Sequence, residues 1–473
     1  MAEGSPSRRA TARAPRAVAR ARGVPAGAAP PARGPARAAG PIQELQTLQR
    51  LAGNAAVDHL VRIQRYDAFE HANEGDKVPG SQTVTVGQSQ LPGGTRIGGV
   101  QLTSGEINAL ADLYGSADEL YRADPAEVAR VVALVRRQQA DPHSVSEADW
   151  DRATGGRYNR LNLANRGHFG PHNPDLINPA GGSASVDDNR QEFLRYYNET
   201  IVDAQTAFMH IGLPDPVHTQ EWLDRAAIAA GFAEHYIMDA FSAGHLFNKD
   251  DFVAVAQGNL DRLTQAQRDH LFSAVATGVL ANAGARALLG QYEPAEFQWY
   301  GPIPLGRPNF DHQSAFNALL VKLYMDPTGR QAFQNALVKV VHDELSTRHA
   351  ENGQVGVPVE SDHRSPWVLS GDRTLATSPD TQAEIEGAIA QFRQNIEPYR
   401  HGLVPGGGYV PGSERVTAFF PRPTADSTRM IAELVRRVTD PQLGMTQSLI
   451  DILVSELPSI LDALVAHGDI RRA

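Results

Sequence analysis

His235, Asp239 and His245 stand at intervals of four and six in Gly-Phe-Ala-Glu-His-Tyr-Ile-Met-Asp-Ala-Phe-Ser-Ala-Gly-His-Leu-Phe-Asn, residues 231–248. Residues four apart share one face of an α-helix, so His235 and Asp239 project together. At about 100° per residue, His245 falls roughly 80° around the same helix. Two imidazoles and a carboxylate so placed can serve neighbouring divalent metals, and this donor set suits zinc in a hydrolase. The plain alternative is a buried, hydrogen-bonded His–Asp pair. The third member and the small run Ala240, Ser242, Ala243, Gly244 favour the metal. Phe232, Ile237, Phe241 and Leu246 already provide an apolar surface. Polar side chains beside them cost stability unless paired or ligated.

A catalytic zinc takes at least three protein ligands and keeps a position open, so further donors must converge from elsewhere. The chain has no cysteine, which leaves His, Asp and Glu and excludes disulfides and thiolate nucleophiles. His168 is the first candidate, because the long polar loop 167–185 around it also holds His172, Asn173 and Asp175. His172 reads as a surface or supporting residue. His71, between Glu70 and Asp76, is a second candidate. Asp112 lies one residue off the apolar stripe Ile107, Leu110, Ala111, Tyr114, so it reads either as an exposed helical Asp or as a ligand. His342 and Asp343 follow Val338, Val340 and Val341, where polar groups need partners.

The pattern His-x-x-x-Asp-x-x-x-x-x-His resembles the central helix of the zinc-dependent phospholipase C family and of the related single-strand-specific zinc nucleases. The resemblance implies two or three zinc ions. His235 and Asp239 would bind one, Asp239 would also reach a second, and His245 would hold another. It implies a shared carboxylate at Asp112, making Asp239 and Asp112 the catalytic carboxylates, a ligand near the N-terminus at His71, and His342 as a late ligand. Three departures stand out. The flanking Phe-Ser-Ala-Gly differs, Ser346 occupies the place where the family has an acidic residue, and some 65 residues precede the match to the family's N-terminal ligand. Over roughly 65–375 the chain is also similar to a bacterial phospholipase-like family, at residues 69–76, 102–115, 165–173 and 341–345.

With 473 residues the chain has room for two or three domains and a large core. A net charge of −10 and a pI near 5.9 argue against a generic nucleic-acid-binding protein. Residues 1–40 carry eight Arg and one Glu, so the remainder carries about −17. No run of 18 apolar residues spans a membrane, and the start lacks the apolar region of a secretory signal. There is no Gly-x-Ser-x-Gly, no phosphate loop, no His-Glu-x-x-His and no Gly-x-Gly-x-x-Gly, so no nucleotide cofactor is expected.

These residues need elements to position them. Residues 1–40, rich in Arg, Ala and Pro, predict a disordered tail. Residues 41–65 predict two amphipathic turns around Gly53-Asn54. Their Leu-Gln-Arg-Leu-Ala-Gly-Asn-Ala-Ala-Val resembles a motif near the N-termini of cargo and toxin proteins of extracellular contractile injection systems. That resemblance implies a loading signal, an injection particle as partner, and synthesis in a bacterial cytoplasm without a classical signal peptide. Residues 66–400 form the expected hydrolase domain. Within it, 66–102 reads as loop with weak strands at 83–86 and 97–102. A helix starts after Thr103 with Glu106 closing a capping box, and another starts at Asp124-Pro125. Further helices are expected at 144–165 with a Gly155-Gly156 break, 187–210, from Thr219 through the central stretch, 264–281, 312–324, 329–348 and 381–395. Residues 350–375 predict a loop with a short hairpin. In 401–473 a Gly-rich linker, 405–412, precedes helices 424–438 and 445–467, the last with Pro458 as a kink point, packing on the core.

The fold expected is therefore mainly α, a multi-helical phospholipase C-like core with minor β. The function expected is metal-dependent hydrolysis of a phospholipid or other phosphodiester by an effector cargo. A zinc-dependent single-strand nuclease is the runner-up, and a non-enzymatic helical cargo protein is the other class.

Overall fold

Between Ala226 and Lys249 every residue is buried, and the backbone is helical from Pro216 to Ala240. Small side chains at Ala226, Ala229, Ala230, Gly231 and Ala233 let neighbouring helices approach this rod closely. A helix buried all round belongs in the middle of a domain. In this computed structural model Asn189–Met209 runs along it, and Ser104–Leu110 and Pro379–Arg400 pack on other faces. Tyr196 stacks on Tyr236 with ring centroids 5.7 Å apart and meets Phe232 at 5.1 Å.

The structure describes residues 67–87, 89–90, 96–97, 99–179, 187–209, 216–289, 291–294, 324, 327–348, 355–371, 374–402, 412–467 and 470–472. It is mainly helical with a few short strands, as the periodicity predicts. The tail 1–40, the segment 41–65, nearly all of the expected helix 312–324 and most of the linker 405–412 lie outside the described residues. The chain divides into Met1–Gln46 and Thr47–Ala473, and every described residue belongs to the second unit.

Helix starts follow cap chemistry. Thr103 and Glu106 form the expected capping box, Asp124 caps Pro125–Ala140, and Thr264 caps Gln265–Ala281. The loop expected over 66–102 instead opens with a helix, Ala68–Lys77, started by a capping box between Asp67 and Glu70. It crosses Ser104–Leu110 glycine to glycine. A Cβ on Gly75 would stand 2.7 Å from Gly105 Cα, so neither position tolerates a side chain. A helix not expected from the sequence, Lys249–Asp261, starts at the Asn248 cap.

The strands are peripheral. Thr83–Val86 pairs antiparallel with Val100–Thr103, with Val84 opposite Leu102. The expected hairpin exists as Val357–Glu360 against Trp367–Leu369, and Arg422–Pro423 joins its free edge. Ala425–Thr439 and Met445–His467 pack on Pro327–Thr347, and the last helix continues through Pro458. Among the described residues no single helix is long and apolar enough to cross a membrane.

Candidate metal centre

The central helix delivers His235 and Asp239 on one face, as their spacing predicts. His235 Nε2 lies 3.0 Å from Asp239 Oδ2. The helix does not continue to His245. It ends at Ala240, and His245 arrives on a 3-10 turn, Ala243–His245. The small run favours this break, because Ser242 and Gly244 hold a helix poorly. The turn is pinned from outside by the Ala243 amide donating to Ser370 O at 2.9 Å and the Gly170 amide donating to His245 O at 2.7 Å.

His168 comes from a 3-10 turn, Arg166–His168, at the start of the polar loop. Its Nδ1 is 2.5 Å from the same Asp239 oxygen and 3.2 Å from His235 Nε2. His71, on Ala68–Lys77, brings Nε2 to 3.8 Å from both Asp112 Oδ2 and Asp239 Oδ1. Its ring centroid is 4.5 Å from that of His235. Asp112 Oδ1 lies 3.6 Å from His235 Nε2 and 3.9 Å from His168 Nδ1. The exposed reading of Asp112 is therefore wrong. Ser104–Leu110 stops two residues earlier, and the following turn swings this carboxylate inward.

Two ligand groups result, His71 with Asp112 and His235, and His168 with His235 and Asp239. In each, one donor atom per residue falls within 4.8 Å of the others, and all five residues are buried. These groups could hold a metal ion. Nitrogen and carboxylate oxygen are the donors present, which fits a borderline cation better than one needing thiolates. The crowding itself points the same way. Two imidazole nitrogens share one carboxylate oxygen, while among the described residues no hydrogen-bond donor reaches the buried Asp239 Oδ1.

A second gathering lies beyond Asp239. His245 Nδ1 is 3.1 Å from the Asp239 carbonyl, which can only accept, so the proton sits on Nδ1 and the lone pair on Nε2. His342 Nδ1 faces Asp343 Oδ1 at 3.1 Å, and the same argument puts its lone pair on Nε2. The two rings lie 5.2 Å apart, with Phe169 packed 4.9 Å from His245. Gly244 is the reason His342 fits, since a Cβ there would overlap its ring. Ser346 is buried against Gly371, so no carboxylate stands at that position.

Electrostatics follow from burial. Burial alone would push the Asp239 carboxyl up, but His235 and His168 hold it well below the usual carboxylate range. Burial, reinforced by His235, lowers His71 to about 4 against the opposing pull of Asp112 and Asp239. Both shifts favour the forms that ligate a cation, carboxylate and neutral imidazole.

The structure thus gathers His71, Asp112, His168, His235 and Asp239, with His245 and His342 alongside. It leaves His172 out. That ring is partly exposed and pairs with the buried Asp251 at 2.6 Å, which ties the polar loop to Lys249–Asp261. Tyr236, not singled out from the sequence, stands edge-on to His235 at 5.2 Å and lies 5.2 Å from His168. Its position directly after His235 was the only signal available. No family model matches the chain, and no curated protein or solved structure matches it either.

Proposed function

We propose that the chain is a metal-dependent phosphoester hydrolase with phospholipase C-like chemistry and zinc as its metal. One arrangement supports this reading: histidines from four separate segments face the Asp239 carboxylate, and three of them also face Asp112, in a buried, thiol-free centre. The two groups sharing His235 would hold one or two ions between them, and His245 with His342 a further one. When bound, the ions supply positive charge to the phosphoryl oxygens and lower the pKa of a coordinated water. Asp239 would fix the orientation of His168 and His235. Asp112, at the slightly more open edge, would take the proton from the attacking water.

Lipid headgroup phosphodiesters are the preferred substrate class, and single-stranded nucleic acid comes second, because the body of the chain is acidic. The resemblance at 48–57 supports delivery as a cargo of a contractile particle. A second reading, a non-enzymatic helical protein with a stabilising metal, is favoured by one observation. The side chains of His71, His168, Asp112, His235 and Asp239 are all 8% exposed or less. The deciding experiment measures metal content of the purified protein, then hydrolysis of a chromogenic choline phosphodiester and of single-stranded DNA. Metal with neither activity selects the structural reading. Hydrolysis that persists in His235→Ala and Asp239→Ala would remove this centre from the reaction.

A further inference from the structure

We infer that Arg393 is a positioning residue that sets the separation between the His71 side and the His235 side of the centre; the inference rests on the metal reading above. Arg393 lies on Pro379–Arg400, is buried, and hydrogen-bonds to the neighbours of the histidines rather than to the rings. Its Nε donates to Glu234 Oε1 at 2.7 Å and its Nη2 to Glu234 Oε2 at 2.8 Å. The remaining N–H groups go to backbone carbonyls: Nη2 to Gly75 at 2.7 Å, and Nη1 to Val78 and, at 3.4 Å, to Pro79. All five guanidinium donors are thereby used.

The two ends of this fork meet the two halves of the centre. Glu234 immediately precedes His235 on the central helix. Gly75 lies one helical turn after His71, and the carbonyls of Gly75 and Val78 close the C-terminal end of Ala68–Lys77. Those carbonyls form the negative pole of that helix and have no intrahelical donors, so a guanidinium answers both needs. Because the fork is planar and rigid, it fixes angle as well as distance, which a lysine cannot do. The 4.5 Å approach of the His71 and His235 rings is set by two helices that this one side chain bridges.

A purely architectural role would also place a buried ion pair here, so the test must read the metal rather than the fold. The full chain is loaded with Co(II), and its visible absorption bands and Co(II) affinity are compared with those of Arg393→Lys and of the charge-free double variant Glu234→Gln/Arg393→Gln. Folding is followed separately by far-UV circular dichroism at 20 °C. Glu234→Asp keeps both charges and shortens one arm by a methylene. It serves as the milder probe if Arg393→Lys does not fold. The expected result is a folded protein with altered visible bands and at least about tenfold weaker Co(II) binding, not restored by the lysine. A folded variant with the wild-type bands and affinity overturns the inference, whatever its melting temperature. A wild-type chain that takes up no Co(II) overturns the metal centre itself, and the positioning role with it.

Discussion

His235 Nε2 and His168 Nδ1 stand 3.2 Å apart, and both face one oxygen of Asp239. They lie 67 positions apart in the chain. One neutral imidazole can donate its N–H to the lone pair of the other, but here both nitrogens also compete for the same carboxylate oxygen, a demand that a cation between them would meet.

Asp239→Asn should therefore disable the centre as a whole. The amide keeps the size but loses the charge that balances a cation and can point an N–H at a histidine. Divalent-metal affinity should fall by about 10–100-fold, with any hydrolysis falling alongside. Elemental analysis and calorimetric titration check this, and wild-type stoichiometry in the variant would contradict it.

The metal-free protein should weaken as acid is added, over a defined window. His71 titrates at about 4 when folded and near its ordinary 6.5 when unfolded. Between those values the unfolded chain binds a proton that the native chain refuses. Stability thus rises with pH across that interval and is insensitive to this group below about 4. The full effect is about 3 kcal/mol, at 1.36 kcal/mol per unit. Asp239, held below the usual range, loses its contribution only at still lower pH. Urea unfolding of the chelated protein from pH 4 to 7 should show this slope, and His71→Gln should flatten it.

Gly244→Ala should separate the second gathering from the first. The added methyl overlaps His342, whose ring must move away from His245. The variant should bind one ion fewer than the wild type while keeping the ions at Asp239, and His342→Ala should do the same without strain. Equal metal counts in all three proteins would mean that His245 and His342 hold no ion.

Away from the centre, Asp203 is raised to about 6 by burial, with Glu199 and Asp118 adding to the rise and Arg225 opposing it. Its folded value exceeds the unfolded one, so its contribution is present at low pH and is lost as pH climbs through 6. Asp203→Asn should raise the melting temperature at pH 8 by about 1–2 °C and leave it unchanged at pH 3.5. Thermal scans at both values decide it.

Much of this was legible because local chemistry announces itself. Thr103 with Glu106, Asp124 with Pro125, and the His235–Asp239 interval each carry their structural meaning within one turn. His342 was legible too, since it continues the buried face of Val338, Val341 and Leu345. The helix bearing His71 was hidden because its inward face is polar: Glu70, His71 and Glu74 are buried where an apolar stripe would be sought. The residue pattern leaves Asp112 open between an exposed and a ligand position, because its direction depends on where Ser104–Leu110 stops, which the apolar pattern does not reveal. The role of Arg393 rests on partners 159 and 318 positions away, beyond any pattern in neighbouring residues.

From His71 to His342 the polypeptide must close on itself over more than half its length before both imidazoles can reach the region of Asp239. Such distant closures make folding slow. On the metal reading, any ion would then enter a centre that folding has already buried. Uptake should then be paced by local breathing of the segments around His168 and His245, the two that enter on short turns rather than on long helices.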